Sequence, residues 1–253
     1  MGRAEVDVWL LPRPTVLPPL AWLDDAERTR AATLPPGRAA EFVAGRRLLR
    51  AVLGQRLGLP PDQVPLVARC PRCGDPHGQV RVLAGAPWHV SVSRSGPLVA
   101  VATAELPVGV DVESVAAVGA APVADVVLSA AERERHSRLR AGERPADLAR
   151  TWARKEAVLK ALGAGLELAP SSFTLTVPVT TVGAPLDAPA VGASDGGVAV
   201  AVADLGDGEV GAVGAVAVVG VAGLAVRVHD GAAVLAGAGS GPAGSGEDVR
   251  PWS

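Results

Sequence analysis

Val108-Gly109-Val110-Asp111-Val112-Glu113 reads as a β-strand, and it divides the 253-residue chain into two halves. Successive side chains on a strand face opposite ways, so Val110 and Val112 enter a core while Asp111 and Glu113 share the other face. Two neighbouring carboxylates repel each other unless a cation stands between them. Hard divalent cations such as Mg²⁺ choose oxygen ligands and keep waters and substrate phosphates around them. The plainer alternative is a half-exposed strand whose polar residues meet water.

Outward from this strand, each side carries helices followed by short β-like runs. Upstream, Val6–Leu10 alternates as a strand, and Pro18-Pro19 opens a helical stretch through Trp22 to Arg30. A second helix is expected over Ala39–Arg56, with Phe42, Leu48, Leu49, Val52 and Leu53 near a 3.6-residue period. Pro60-Pro61 and Cys70-Pro71-Arg72-Cys73-Gly74 mark loops, and Val80–Leu83, His89–Ser93 and Leu98–Ala104 read as strands. Downstream, Ser129-Ala130-Ala131-Glu132 has the form of a capping box and should start a helix over Glu132–Arg140. A longer helix follows from Pro145 to Leu162, closed by Gly163. Strands are expected at Phe173–Val177, Val198–Val202, Val210–Val219 and Leu224–Val228.

This pattern predicts an α+β protein of two similar α+β halves packed side by side, 1–107 and 108–228, with a cleft along their seam. Residues 229–253, rich in Gly, Ala, Ser and Pro, are expected to form a disordered tail. No residue-level repeat between the halves is visible.

The second informative segment is Trp152-Ala153-Arg154-Lys155-Glu156-Ala157-Val158-Leu159-Lys160. On a helix, Trp152, Glu156 and Lys160 share one face. A Glu-to-Lys pair at that spacing is also an ordinary surface pair, but a tryptophan beside it should be buried or cover a site. Lys155 and Lys160 are the only lysines in a chain otherwise served by arginine. Arginine and lysine differ in shape and in ease of deprotonation, so this retention points to a chemical requirement or to chance.

Taken together, the two segments resemble the paired signatures of the surfactin-type 4′-phosphopantetheinyl transferases: a GxDxE strand followed by a W-x-x-K-E-A-x-x-K helix. Phe42–Arg50 is similar to the family's early helix, Cys70–Gly78 to its loop, and Ser91-Val92-Ser93-Arg94-Ser95-Gly96 to its phosphate-contact strand and turn. The resemblance implies a pseudo-twofold fold and Mg²⁺-dependent transfer of phosphopantetheine from coenzyme A to a serine of an apo acyl, peptidyl or polyketide carrier protein. It implies Asp111, Glu113 and Glu156 as metal ligands, with Glu156, Lys155 and Lys160 catalytic. Arg94, Ser93, Ser95 and Lys160 would hold the nucleotide phosphates, with Arg46 and Arg28 as further contacts. Three positions depart from the family pattern: Gln79-Val80 replaces Lys-Pro, Arg94 replaces a histidine, and Glu41 replaces an arginine. Glu41 and Gln79 thin the positive charge expected around the adenosine 3′-phosphate. A non-catalytic relative that binds coenzyme A or a carrier domain is therefore the second reading.

Bulk composition fits a globular protein of the cytoplasm, and a monomer is expected. A formal net charge of −2 calls for neither a nucleic acid nor a membrane partner. The apolar run 210–226 is short of a membrane span and broken by glycines. Two cysteines cannot build a disulfide framework. Cys70 and Cys73 with His77, and His89 as a possible fourth ligand, have the outline of half a zinc knuckle; a tight loop of two thiols is the plainer alternative.

Overall fold

The computed structural model describes residues 2–70, 73–75, 78–83, 86–163, 168–175, 190–192, 199–206 and 211–239. Strand β1 (Arg3–Pro12) leads into helices α1 (Asp25–Ala32) and α2 (Pro36–Leu57). A short hairpin, β2 (Leu66–Val67) and β3 (Arg81–Val82), precedes β4 (His89–Ser95) and β5 (Leu98–Ala104). The second half opens with β6 (Val108–Ser114), followed by α3 (Val115–Ala120), α4 (Ala124–Val127), α5 (Ala130–Ser137) and α6 (Arg144–Leu162). It continues through β7 (Ala190–Gly192), β8 (Ala199–Leu205), β9 (Ala212–Val219), β10 (Gly223–Asp230) and α7 (Gly231–Gly239).

Two four-stranded sheets result, ordered β10-β1-β5-β4 and β6-β9-β8-β7. The segments β1-β5-β4 and β6-β9-β8 repeat one connectivity, each antiparallel throughout. The α+β class expected from the sequence is the class found. Alternation explains the layering. Val6, Val8, Ala100 and Ala102 from one sheet, with Val110, Val112, Ala201, Ala203, Val216 and Val218 from the other, share a single core between the sheets. α2 covers the outer face of the first sheet through Leu48, Leu49, Val52 and Leu53. α6 covers the outer face of the second through Ala153, Ala157, Val158 and Ala161.

Three expectations need correction. The strand Leu224–Val228, assigned to the second half, lies in the first half's sheet as part of β10, parallel to β1 from Arg3↔Gly223 to Leu10↔Asp230. Leu224 and Val226 enter the shared core, while Arg227 and His229 turn to Asp7, so the pairing is fixed on both faces. The tail is not disordered over 229–239: α7 packs Val234 and Leu235 onto the core beneath α2. Its Gly/Ala-rich sequence gives almost no periodic signal, and tertiary packing decides its conformation. Finally, 173–175 are not strand. They follow a 3-10 turn at Pro170–Ser172, and residues 176–177 lie outside the described residues. Among the described residues no helix is long and apolar enough to cross a membrane.

Candidate functional site

The two sheets meet where the edge strands β4 and β6 run beside each other, and serine hydroxyls stitch the seam. Ser91, Ser93 and Ser95 alternate along β4, so three hydroxyls line one face. Ser91 Oγ accepts from the Val110 amide at 3.0 Å, and Ser95 Oγ from the Ser114 amide at 3.2 Å. Ser93 donates to Asp111 Oδ1 at 2.7 Å, and Ser95 to Glu113 Oε2 at 2.9 Å. The two serines expected to hold phosphates thus orient carboxylates in this structure. Each has a single hydroxyl proton, and it is spent on the carboxylate.

Above β6 lies α6, and Gly109 is the reason it can lie so close. A Cβ at position 109 would stand 1.9 Å from the Ala157 carbonyl oxygen and 2.6 Å from the Ala161 nitrogen. This approach brings Lys160 Nζ to 2.6 Å from Asp111 Oδ1 and 3.1 Å from the Val110 carbonyl oxygen. Asp111 is 4% exposed, and its second oxygen, Oδ2, is buried without a hydrogen-bond partner. A buried orphan carboxylate oxygen is costly and marks a place prepared for a cation or donor.

The electrostatics agree. Burial first, then the charge of Asp111 and more weakly that of Glu156, pushes the Glu113 carboxyl up to about 7. Burial and Asp111 raise Glu156 likewise, with Lys160 opposing. Asp111, Glu113 and Glu156 thus interact as one acidic site with a single ammonium in it. Among the described residues no three acidic, histidine or cysteine side chains already form a metal cage. Lys160 holds Asp111 Oδ1 and Ser95 holds Glu113. The donor set is nevertheless all oxygen and short of positive charge, which fits a hard divalent cation.

On the other face of β4, towards α2, two arginines share an aromatic ring. Arg94 on β4 and Arg46 on α2 lie over Phe42, at 5.6 and 5.2 Å from its centroid. Burial lowers both guanidinium pKa values, that of Arg46 to about 10 against the opposing charge of Glu27, and Arg46 Nε has no hydrogen bond but ion-pairs with Glu27 at 3.4 Å. Glu41 is buried between Arg13 (2.9 Å) and Arg38 (3.4 Å) and within the field of Arg94. The carboxylate that seemed to subtract charge is thus held among arginines and gathers them. Gln79 donates to the Lys160 carbonyl at 2.9 Å, fixing the β2–β3 hairpin against the last turn of α6.

Not every expected residue joins the site. Arg28 is solvent-exposed, with Asp25 at 3.8 Å. Trp152 packs with Val118, Val127, Leu128 and Leu148 rather than over the carboxylates. Lys155, expected among the catalytic residues, is fully buried. Its ammonium bonds Val127, Pro170 and Phe173 carbonyls at 2.8–2.9 Å and Glu132 at 2.5 Å. Cys70 is half-buried and Cys73 exposed, and His77 lies outside the described residues. Sequence reasoning missed Ser91, Arg13 and Arg38. The serine alternation was there to find Ser91, whereas the arginines come from segments with no pattern linking them.

Residues 107–188 match the family model of the 4′-phosphopantetheinyl transferase superfamily, a stretch that takes in β6 and α3 to α6 and supports placement in that superfamily. No curated protein matches the chain.

Proposed function

Proceeding from that superfamily match, we propose that the chain transfers the 4′-phosphopantetheine arm of coenzyme A to a serine of an apo carrier protein, releasing 3′,5′-ADP. The observation that carries this reading is the buried Asp111, one of whose oxygens has no hydrogen-bond partner, within the field of Glu113 and Glu156. Asp111, Glu113 and Glu156 would hold Mg²⁺, which supplies charge neutralisation for the pyrophosphate and its leaving group. Lys160 adds a compact positive charge next to the same oxygens, suited to developing negative charge on phosphate. Arg94 and Arg46, already desolvated, gain strongly from any phosphate that reaches them. Glu156 accepts the proton of the carrier serine, directly or through a water, as its oxygen attacks phosphorus. The bond from that phosphorus to ADP breaks as the serine–phosphorus bond forms. Asp111 remains ion-paired with Lys160 throughout.

The second reading, a non-catalytic binder, drew its motive from Glu41 and Gln79. Glu41 is matched by arginines and Gln79 has a structural partner, so that motive weakens. Incubating the protein with coenzyme A, Mg²⁺ and an apo carrier, then weighing the carrier, tests the proposal. A carrier heavier by one phosphopantetheine is the expected result. Unchanged mass with acyl, peptidyl and polyketide carriers alike would reject transfer.

A further inference from the structure

Lys155 and Arg50 stand at the same place in the two halves. Each lies within the long helix of its half, at 0% and 1% exposure. Each is salt-bridged to the glutamate of a capping box on the preceding short helix. Arg50 Nε is 2.9 Å from Glu27 Oε2, and Lys155 Nζ 2.5 Å from Glu132 Oε2. Each also binds carbonyls of the segment after its helix: Pro61 and Val64 for Arg50, Pro170 and Phe173 for Lys155. Even the spacing agrees. Capping glutamate, cation and left-handed terminal glycine fall at 27, 50 and 58 in one half and at 132, 155 and 163 in the other. The residue after the cation differs: Ala51 in the first half, Glu156 in the second. A buried cation common to both halves, with reactive carboxylates beside only one, does a job that both halves need.

We propose that Lys155 is a positioning residue: its clamp with Glu132 sets the rotation of α6 and touches neither phosphate nor carrier. An ammonium has three N–H donors, and three carbonyls with one carboxylate saturate it. Glu132 is a junction in its own right, accepting from the Ser129 amide at 2.8 Å and the Leu175 amide at 3.0 Å. Lys155 therefore ties α4, α5 and the segment after α6 to one point on the helix. Consecutive helix residues are about 100° apart, so any rotation that freed Lys155 would swing Glu156 and Lys160 away from Asp111.

The activity arm of the test rests on the transfer reading above. Lys155→Met leaves Glu132 buried without its counter-charge, and the melting temperature should fall by about 10 °C or more. Below that melting temperature, kcat should drop about tenfold or more while KM for coenzyme A stays within about twofold. Adding Glu132→Gln removes the stranded charge, though its one carbonyl oxygen can accept from only one of the Ser129 and Leu175 amides, and should return at least half of the lost melting temperature and bring kcat to within about threefold of wild type. A lysine that held phosphate would behave otherwise: KM would rise, the melting temperature would hardly move, and the second change would rescue nothing. Either that pattern, or a double variant that regains stability without kcat, overturns the proposal. If Lys155→Met does not fold, the double variant decides alone by the same readouts. If the wild-type protein transfers nothing, the transfer reading has failed instead. Thermal coupling between the two substitutions still judges the clamp, and additive effects would sink it.

Discussion

At Glu113, burial and the neighbouring Asp111 carboxylate hold the folded-state pKa near 7, above the ordinary 4.5. A raised value means that Glu113 favours the fold fully below about pH 4.5 and that this contribution is lost as pH rises through about 7. Glu113→Gln should therefore raise the melting temperature of the metal-free protein at pH 8 and change it little at pH 5. Melting curves at the two pH values check this; an equal shift at both would contradict the burial argument. The same variant should transfer poorly, because a donor to the cation is gone. Asp111→Asn and Glu156→Gln should each reduce transfer at saturating Mg²⁺ by about a hundredfold or more with the fold intact. A rate close to wild type in either would remove the metal assignment. Lys160→Arg should cost about tenfold in rate, since a planar guanidinium does not reproduce the 2.6 and 3.1 Å contacts of the compact ammonium. At this scale the carboxylates were legible, because strand alternation alone puts Asp111 and Glu113 on one face. The two lysines were not separable. Their roles differ through Val127, Glu132, Pro170 and Phe173, partners that spacing along one helix cannot foresee.

Among the elements, the contact of α6 with β6 governs the site, and it turns on the missing side chain at Gly109. Gly109→Ala would press a methyl group into the helix backbone at Ala157 and Ala161, contacts that no rotamer can relieve. Stability should fall by about 1–3 kcal/mol, and transfer should fall further than stability does, because Lys160 and Glu156 move with the helix. Denaturant unfolding beside rate measurements on the folded protein checks both; a variant with unchanged rate would show that the helix tolerates displacement. The long helices were legible from period and caps: Ser129 and Glu132 form the expected box, and Gly163 closes α6. The short helices α3 and α4 were not, since six and four residues carry too little periodicity to register.

Across the whole molecule, β1 and β10 are neighbours, held by the side chains gathered on Asp7. Burial alone would raise the pKa of Asp7, but hydrogen bonds from Arg227, His229 and Arg56 outweigh it and hold it at about 2. A lowered value means stability present above about pH 3.8 and lost as pH falls towards 2, so Asp7→Asn should make unfolding less steep in acid. Cutting the chain at 229 should lower the melting temperature or solubility, because it removes His229 from Asp7 and Val234 and Leu235 from the core. An unaffected truncation would show α7 to be dispensable. The α+β class was legible, yet the pairing of β10 with the first sheet was not, for a strand's sequence does not name its neighbour.

That exchange also bears on synthesis. Asp7 and Arg227 lie 220 residues apart, so β1 emerges long before the strand that completes it. At about 5–20 residues per second, the nascent chain presents one unpaired flank of β1 for roughly 10–45 s. An open strand edge is a template for the wrong partner, including another copy emerging nearby. The carboxylate of Asp7 meanwhile lacks two of its three side-chain partners, Arg227 and His229, and a half-built sheet with an uncompensated charge pairs poorly with strangers. The residue that fastens the finished protein would thus also guard the unfinished one.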